Sequence, residues 1–161
     1  MVASNSGYSF NHRWKPRLGM RIDAASGDSE LGDGKIGTFD PLYPRNGFYG
    51  DASLTTLSNA VIVGPTFGFS PWSKIRIEPA IFGVWKQREE DGVYVPGMSL
   101  LAGTRDTGRH VGTLYLVNSR WQATSNLTMD FNINYFDVGS AIKDAGGDDS
   151  SLVTVRATLR L

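Results

Sequence analysis

No cysteine occurs among the 161 residues. A disulfide scaffold and a thiolate metal site are therefore excluded, and the absence suits a cell-envelope protein without proving that location. No apolar run approaches the ~18 residues that a membrane-spanning helix needs. Nor does Met1-Val-Ala-Ser offer a basic stretch followed by an apolar core, so no export signal is visible. Charge gives no lead, because 16 basic residues cancel 16 acidic ones, and nothing points to nucleic acid. What is plentiful is glycine, at 19 residues, with seven prolines and six tyrosines, the makeup of a turn-rich β protein. The length predicts one domain, spanning 1–161, with an adequate core.

Within that composition the strongest signal is a period of two. Leu127, Met129, Phe131, Ile133 and Tyr135 alternate with Thr128, Asp130, Asn132 and Asn134. Val153, Val155, Ala157, Leu159 and Leu161 alternate with Thr154, Arg156, Thr158 and Arg160. Successive side chains of a strand point to opposite faces, so each segment has one apolar and one hydrophilic wall. Five further segments follow the same pattern: Tyr8 to Trp14 (the weakest), Arg17 to Ala25, Val61 to Phe69, Lys74 to Lys86, and Val111 to Trp121. The last of these is less clean, with Leu114 and Leu116 on the side that also carries Asn118 and Arg120. Pro65 and Pro79 each remove a ladder donor and weaken the third and fourth assignments.

Connections alternate between short and long. Trp14-Lys15-Pro16, Ser70-Pro71-Trp72-Ser73 and Gln122-Ala123-Thr124-Ser125-Asn126 are tight, whereas Ser26 to Ala60, Gln87 to His110 and Phe136 to Ser150 are long, glycine-rich and acidic. Long structureless loops are uncommon in compact soluble domains. Outer-membrane barrels, by contrast, combine short periplasmic turns with long extracellular loops, and their strands need only ~9–11 alternating residues. Three tryptophans, Trp14, Trp72 and Trp121, sit in or beside the tight turns, and Trp85 lies next to a long loop. Indoles favour the lipid–water interface, where barrels carry aromatic girdles. The expected fold is thus all-β: an antiparallel transmembrane β-barrel, or part of one, with about seven strands in this chain. Six or seven strands fall short of the ~8 of the smallest single-chain bacterial barrels. Open edges are not tolerated in lipid, so the remaining strands are expected from an upstream segment, a second copy or another chain. Outer-membrane lipid is then the surrounding partner, and the native N-terminus is expected to lie upstream.

On the hydrophilic wall the parity places Arg17, Arg21, Lys74, Arg76, Lys86, Arg120, Arg156 and Arg160 against only Asp23, Glu78 and Asp130. The compensating acids fall in the long loops: Asp28, Glu30, Asp33, Asp40, Glu89, Glu90, Asp91, Asp144, Asp148 and Asp149. Most of the cations lie near a tight turn or the C-terminus, and folded as a barrel they would ring the periplasmic half of the lumen. Such a focused field concentrates anions, and the guanidinium fork suits carboxylates.

Ser26-Gly27-Asp28, the stretch Gly37-Thr38-Phe39-Asp40-Pro41-Leu42-Tyr43-Pro44, and Asp91-Gly92-Val93-Tyr94 followed by Pro96-Gly97 carry a more specific likeness. With the strand pattern, they resemble the C-terminal part of the alginate-export family of bacterial outer-membrane barrels, over nearly the whole chain. Members of that family are longer and carry an N-terminal half absent here. The resemblance implies a diffusion conduit for an anionic polysaccharide or uronate oligomers, lined by arginines and set in the outer membrane. Arg21, Arg76, Arg120 and Arg156, with Arg17, Arg160 and Lys74, are conduit candidates by inward parity rather than by motif. The chain ends on Leu161 and not on the aromatic residue common in such barrels, although the alternating end still resembles an assembly signal.

Other chemistry is weakly signalled. His12 and His110 have no metal-ligand spacing and no sequence-local Glu, so they read as rim residues rather than catalysts. Gly32-Asp33-Gly34-Lys35 lacks the strand–loop–helix setting of a phosphate loop. Asp28, Glu30 and Asp33 could hold calcium through hard oxygen ligands, but without regular spacing they read as solvated loop charge, as do Glu89-Glu90-Asp91. No cofactor is otherwise expected. A barrel hydrolase or acyltransferase would need a nucleophile beside His12 or His110, and no sequence feature supplies one. The alternatives to a polysaccharide conduit are a general small-solute porin and a soluble carbohydrate-binding β-sandwich.

Overall fold

A computed structural model describes residues 1–30, 32–41, 49 and 56–160. Its strands in chain order are β1 (Val2–Ser9), β2 (Arg17–Ala25), β3 (Ala60–Trp72), β4 (Ile75–Lys86), the short β5 (Tyr94–Val95) and β6 (Ser99–Leu100), β7 (His110–Gln122), β8 (Leu127–Val138) and β9 (Ser150–Leu159). One helical turn, α1 (Ser140–Lys143), precedes β9. Seven strands form a single antiparallel meander in the order β1-β2-β3-β4-β7-β8-β9, and β5 pairs only with β6. Among the described residues the large sheet is open, with β1 and β9 at its edges. The fold is all-β, of the kind that makes up part of a transmembrane barrel.

Register converts the alternation of each strand into rows that cross the sheet. On one face, Pro79, Val117, Ile133 and Val153 form one row and Ile75, Trp121, Met129 and Ala157 another, with Ile77, Ser119, Phe131 and Val155 between them. Leu18 faces Phe67, Met20 faces Pro65 and Ile22 faces Val63 on the same side. From β2 to β9 this face is mainly apolar yet exposed, with Ile133 53% and Val153 66% accessible. A soluble sheet would bury it. Trp14, Trp72, Trp85 and Trp121 are all exposed. The first two lie at tight turns, Trp121 close to one, and Trp85 at the loop end of β4.

The opposite face changes chemistry along its height. Nearest the turns comes the row Arg76, Arg120, Asp130, Arg156; next Glu78, Asn118, Asn132, Thr154; then Ala80, Leu116, Asn134, Leu152; and then Phe82, Leu114, Phe136, Ser150. Polarity falls from the turns towards the long loops. At the loop end Ile62, Phe82, Val84, Leu114, Leu116, Phe136 and Val138 build the core with Tyr49, Val93 and Ala141 from the connections. Each such side chain contributes about 1.5–3 kcal/mol by leaving water, so the long connections are packed onto this inner face. That explains the unclean fifth segment: Leu114 and Leu116 face inward because loops cover them.

Three expectations need correction. Tyr8 to Trp14 is not the first strand; β1 lies upstream, every residue of it exposed, and pairs Val2 with Ala24 through Ser9 with Arg17. Its sequence has no apolar period, so backbone pairing with β2 defines it. Residues 10–16 instead form the turn, with Phe10 N–H donating to Pro16 O and Lys15 N–H to His12 O. The Gln87 to His110 connection is not structureless, since it contains β5 and β6 and the buried Asp91 and Thr104. The final segment starts earlier than Val153, at Ser150, because Ser150 and Ser151 already pair with Phe136 and Tyr135. Leu161, and Leu42 to Pro44 of the loop stretch, lie outside the described residues.

Candidate functional site

The turn-side half of the inner face carries two adjoining grooves. One, of about 440 Å³, is lined by Arg17, Arg21, Arg76, Asn5, Thr66 and Glu78 among others. The second, of about 340 Å³, is lined by Arg76, Arg120, Arg156, Asn118, Asp130 and Asn132 among others. Strand pairing is what gathers them: Arg76 lies directly opposite Arg120, Arg120 opposite Asp130, and Asp130 opposite Arg156. Arginines far apart in sequence thus share one row, and Arg76 borders both grooves. Lys74 and Arg160 line neither groove; both lie at the tight-turn rim.

Every acid on this wall is engaged by an arginine. Arg21 Nε donates to Asp23 Oδ2 at 2.8 Å, Arg76 Nε to Glu78 Oε1 at 3.2 Å, and Arg120 Nε to Asp130 Oδ1 at 2.7 Å. The Arg76 and Arg120 pairs are solvent-accessible, so each contributes under about 1 kcal/mol to stability and serves mainly to orient the guanidinium. Arg17, Arg21, Lys74, Arg76, Arg120, Arg156 and Arg160 still outnumber Asp23, Glu78 and Asp130 on this face. The wall is therefore net positive in a chain whose total charge is zero.

Lys86, placed on the hydrophilic wall by parity, does not belong to it. It is 0% exposed, and its Nζ donates to Glu89 O at 2.8 Å, Thr104 O at 3.0 Å and Thr107 Oγ1 at 3.4 Å. Parity gives the correct face, but the loop-side half of that face is roofed by the 87–109 connection.

Above the arginines three amides form a ladder. Asn134 Nδ2 donates to Asn132 Oδ1, and Asn132 Nδ2 to Asn118 Oδ1. Higher still, Tyr49 reaches the inner face from the first long connection. Its hydroxyl donates to Asp23 Oδ2 and accepts from Arg21 Nε at 3.2 Å. The Arg21 guanidinium lies 5.0 Å from the centre of its ring, and Phe82 meets that ring edge-on at 5.3 Å. Burial, and then its bond to Asp23, push the Tyr49 hydroxyl pKa upward, so it stays protonated as the donor to Asp23.

The acidic loop segments are less uniformly solvated than their sequence suggests. Asp91 is fully buried. Its Oδ2 accepts from Asp28 N–H at 2.9 Å and Thr38 Oγ1 at 2.6 Å, and its Oδ1 from Gly92 N–H and Tyr94 Oη, both at 2.8 Å. Burial works to raise this carboxyl; the bonds from Thr38, Asp28, Tyr94 and Gly92 outweigh it and hold the pKa below the usual carboxylate range. Asp91 therefore ties the first long connection to the second. Asp28 and Asp33 make local turn bonds, to Glu30 N–H and Lys35 N–H. Among the described residues no three acidic or histidine side chains converge as metal ligands would. His12 sits in the first turn, accepting from Trp14 N–H at 3.3 Å, and His110 lies against Trp85 at the loop end of β7.

A family model described as alginate export matches residues 1–156. The chain belongs to the alginate-export family. Comparison with curated proteins finds no match. Alginate-export proteins are outer-membrane transport proteins rather than enzymes, and the all-β fold agrees with that family. No helix among the described residues is long and apolar enough to cross a membrane, which says nothing of crossing by strands.

Of the residues that line the grooves, sequence parity finds the arginines. It misses Asn5, because β1 has no apolar period, and it gives no hint of Tyr49, which lines neither groove but contacts Arg21 and whose place depends on a long connection folding back.

Proposed function

We propose that this chain forms one wall of an outer-membrane conduit that passes alginate or a similar uronate polymer through an arginine-lined lumen. The observation that carries this reading is the row Arg76, Arg120, Asp130, Arg156, with Arg17 and Arg21 in the adjoining groove, on the face opposite the lipid-type surface. A polyuronate presents one carboxylate per sugar, and successive guanidinium groups along a wall offer it successive fork-shaped partners. Because Arg76 and Arg120 are accessible and already share hydrogen bonds with acids, each holds a carboxylate weakly enough to release it, as conduction requires. Lys74 and Arg160 at the rim extend the positive field to the periplasmic mouth. Outer-membrane lipid covers the exposed apolar face. Edges β1 and β9 both run towards the tight turns, so antiparallel closure takes an odd number of further strands, from another segment or chain.

Reversal potentials in planar bilayers test this. Replacing Arg76, Arg120 and Arg156 together with Gln should lower the anion preference and weaken uptake of uronate oligomers. An unchanged preference would favour the general-porin alternative.

A further inference from the structure

Two of the groove arginines reach their positions only because glycines lie beneath them. Arg76 extends from β4 across β3, and its Nη1 donates to Lys15 O in the first tight turn at 3.3 Å. Its path crosses Gly68, where a Cβ would stand 2.3 Å from Nη2 and 2.9 Å from Cζ. Arg17 lies over a pair: a Cβ at Gly7 would stand 2.4 Å from its Nη1, and one at Gly19 would stand 2.7 Å from it. Gly7 and Gly19 face each other across β1 and β2. Real Cβ atoms do not come so close to any heavy atom. At Gly68 and Gly7 the guanidinium fills the volume that any other residue would claim, and at Gly19 it shares that volume with Thr66 Oγ1.

We infer that Gly68, with Gly7 and Gly19, are positioning residues that sink the arginines of the wall onto the backbone. This rests on the conduit reading and adds to it. Sunk guanidinium groups keep their charge at the wall and leave the lumen open. With Arg76 Nη1 held by Lys15 O and Nε by Glu78, fewer of its donors are free to clasp a carboxylate. A passing carboxylate therefore meets a partly occupied fork at Arg76, an arrangement that favours throughput over capture. Gly68 is the cleanest of the three. A Cβ there meets only the tips of Arg76 and Glu78, whereas Gly7 and Gly19 also have backbone oxygens of Leu18 and Ser6 within 3 Å. Substitution at Gly68 therefore shifts a side chain without straining the sheet.

The test is Gly68→Ala in the assembled channel, measured in planar bilayers by chloride conductance and by block with uronate oligomers. Alanine should lift Arg76 off Lys15 O, lowering conductance and tightening the block by about tenfold, the value of one charge-assisted hydrogen bond. In an Arg76→Ala background the same substitution should change neither quantity. Parental conductance and block in Gly68→Ala, or an equal effect with and without Arg76, would overturn the inference. Should Gly68→Ala fail to assemble, the double variant should assemble, because the atom it meets is gone; failure of both would also overturn it. If Arg76→Ala alone leaves anion preference and block unchanged, the conduit reading itself fails.

Discussion

Replacing Asp91 with Asn keeps the shape of the side chain and removes what it does. The carboxylate accepts two bonds on each oxygen, from Asp28 N–H and Thr38 on Oδ2, and from Gly92 N–H and Tyr94 on Oδ1. An amide group in either place turns one acceptor into a donor, so two of these bonds are lost and two buried donors face an N–H. With each charge-assisted bond contributing about 1.5–3 kcal/mol, and incomplete additivity, the cost is about 3–5 kcal/mol. It falls on the junction of the two long connections, since the strand rows do not involve Asp91. Amide hydrogen exchange in residues 26–41 and 87–109 should therefore accelerate by more than roughly a hundredfold, while exchange in β8 stays unchanged. Lowering the pH on the parent should act in the same direction. The folded carboxyl has a depressed pKa, so its stabilisation is full above the ordinary carboxylate pKa and disappears as pH falls through the depressed value. Loop exchange in Asp91→Asn within twofold of the parent would refute the junction assigned to this residue.

Other expectations follow from buried polar contacts. Lys86→Met should destabilise the 87–109 connection by about 2–4 kcal/mol, because Glu89 O and Thr104 O lose their donor, and limited proteolysis of that connection would show it. Tyr49→Phe leaves the buried Asp23 carboxylate without its hydroxyl donor and should cost about 1–3 kcal/mol by thermal unfolding in detergent; an unshifted midpoint would mean that the contact with Asp23 contributes nothing.

How legible is this fold? Six strands, β2, β3, β4, β7, β8 and β9, lie within a few residues of where the period of two puts them, because one face of each meets an apolar medium. β1 carries no such signal, as VASNSGYS is held by its ladder with β2. The groove arginines were visible for the same reason as the strands: parity fixes the face. Parity says nothing about depth, however, so it groups Lys86 with them although the 87–109 connection roofs it. Traces of that roof in the sequence are Leu114 and Leu116 beside Asn118, and Phe82 and Val84 between Glu78 and Lys86, on an otherwise hydrophilic wall. The contacts of Tyr49 and Asp91 depend on chain segments meeting across 26 to 63 positions, which no local pattern encodes.

The central claim is that the two faces of this sheet meet different media, lipid outside and an aqueous anion path inside. Ile133 and Thr154 test it as a pair. Ile133 faces outward, 53% exposed, in the row with Val117 and Val153. Thr154 faces inward, opposite Asn132, one residue further along β9 from Val153. Arginine at Ile133 should cost about 2–4 kcal/mol in bilayer-folded protein, and arginine at Thr154 less than about 1 kcal/mol. Equal costs at the two positions, measured by reversible denaturant titration in lipid vesicles, would contradict the account.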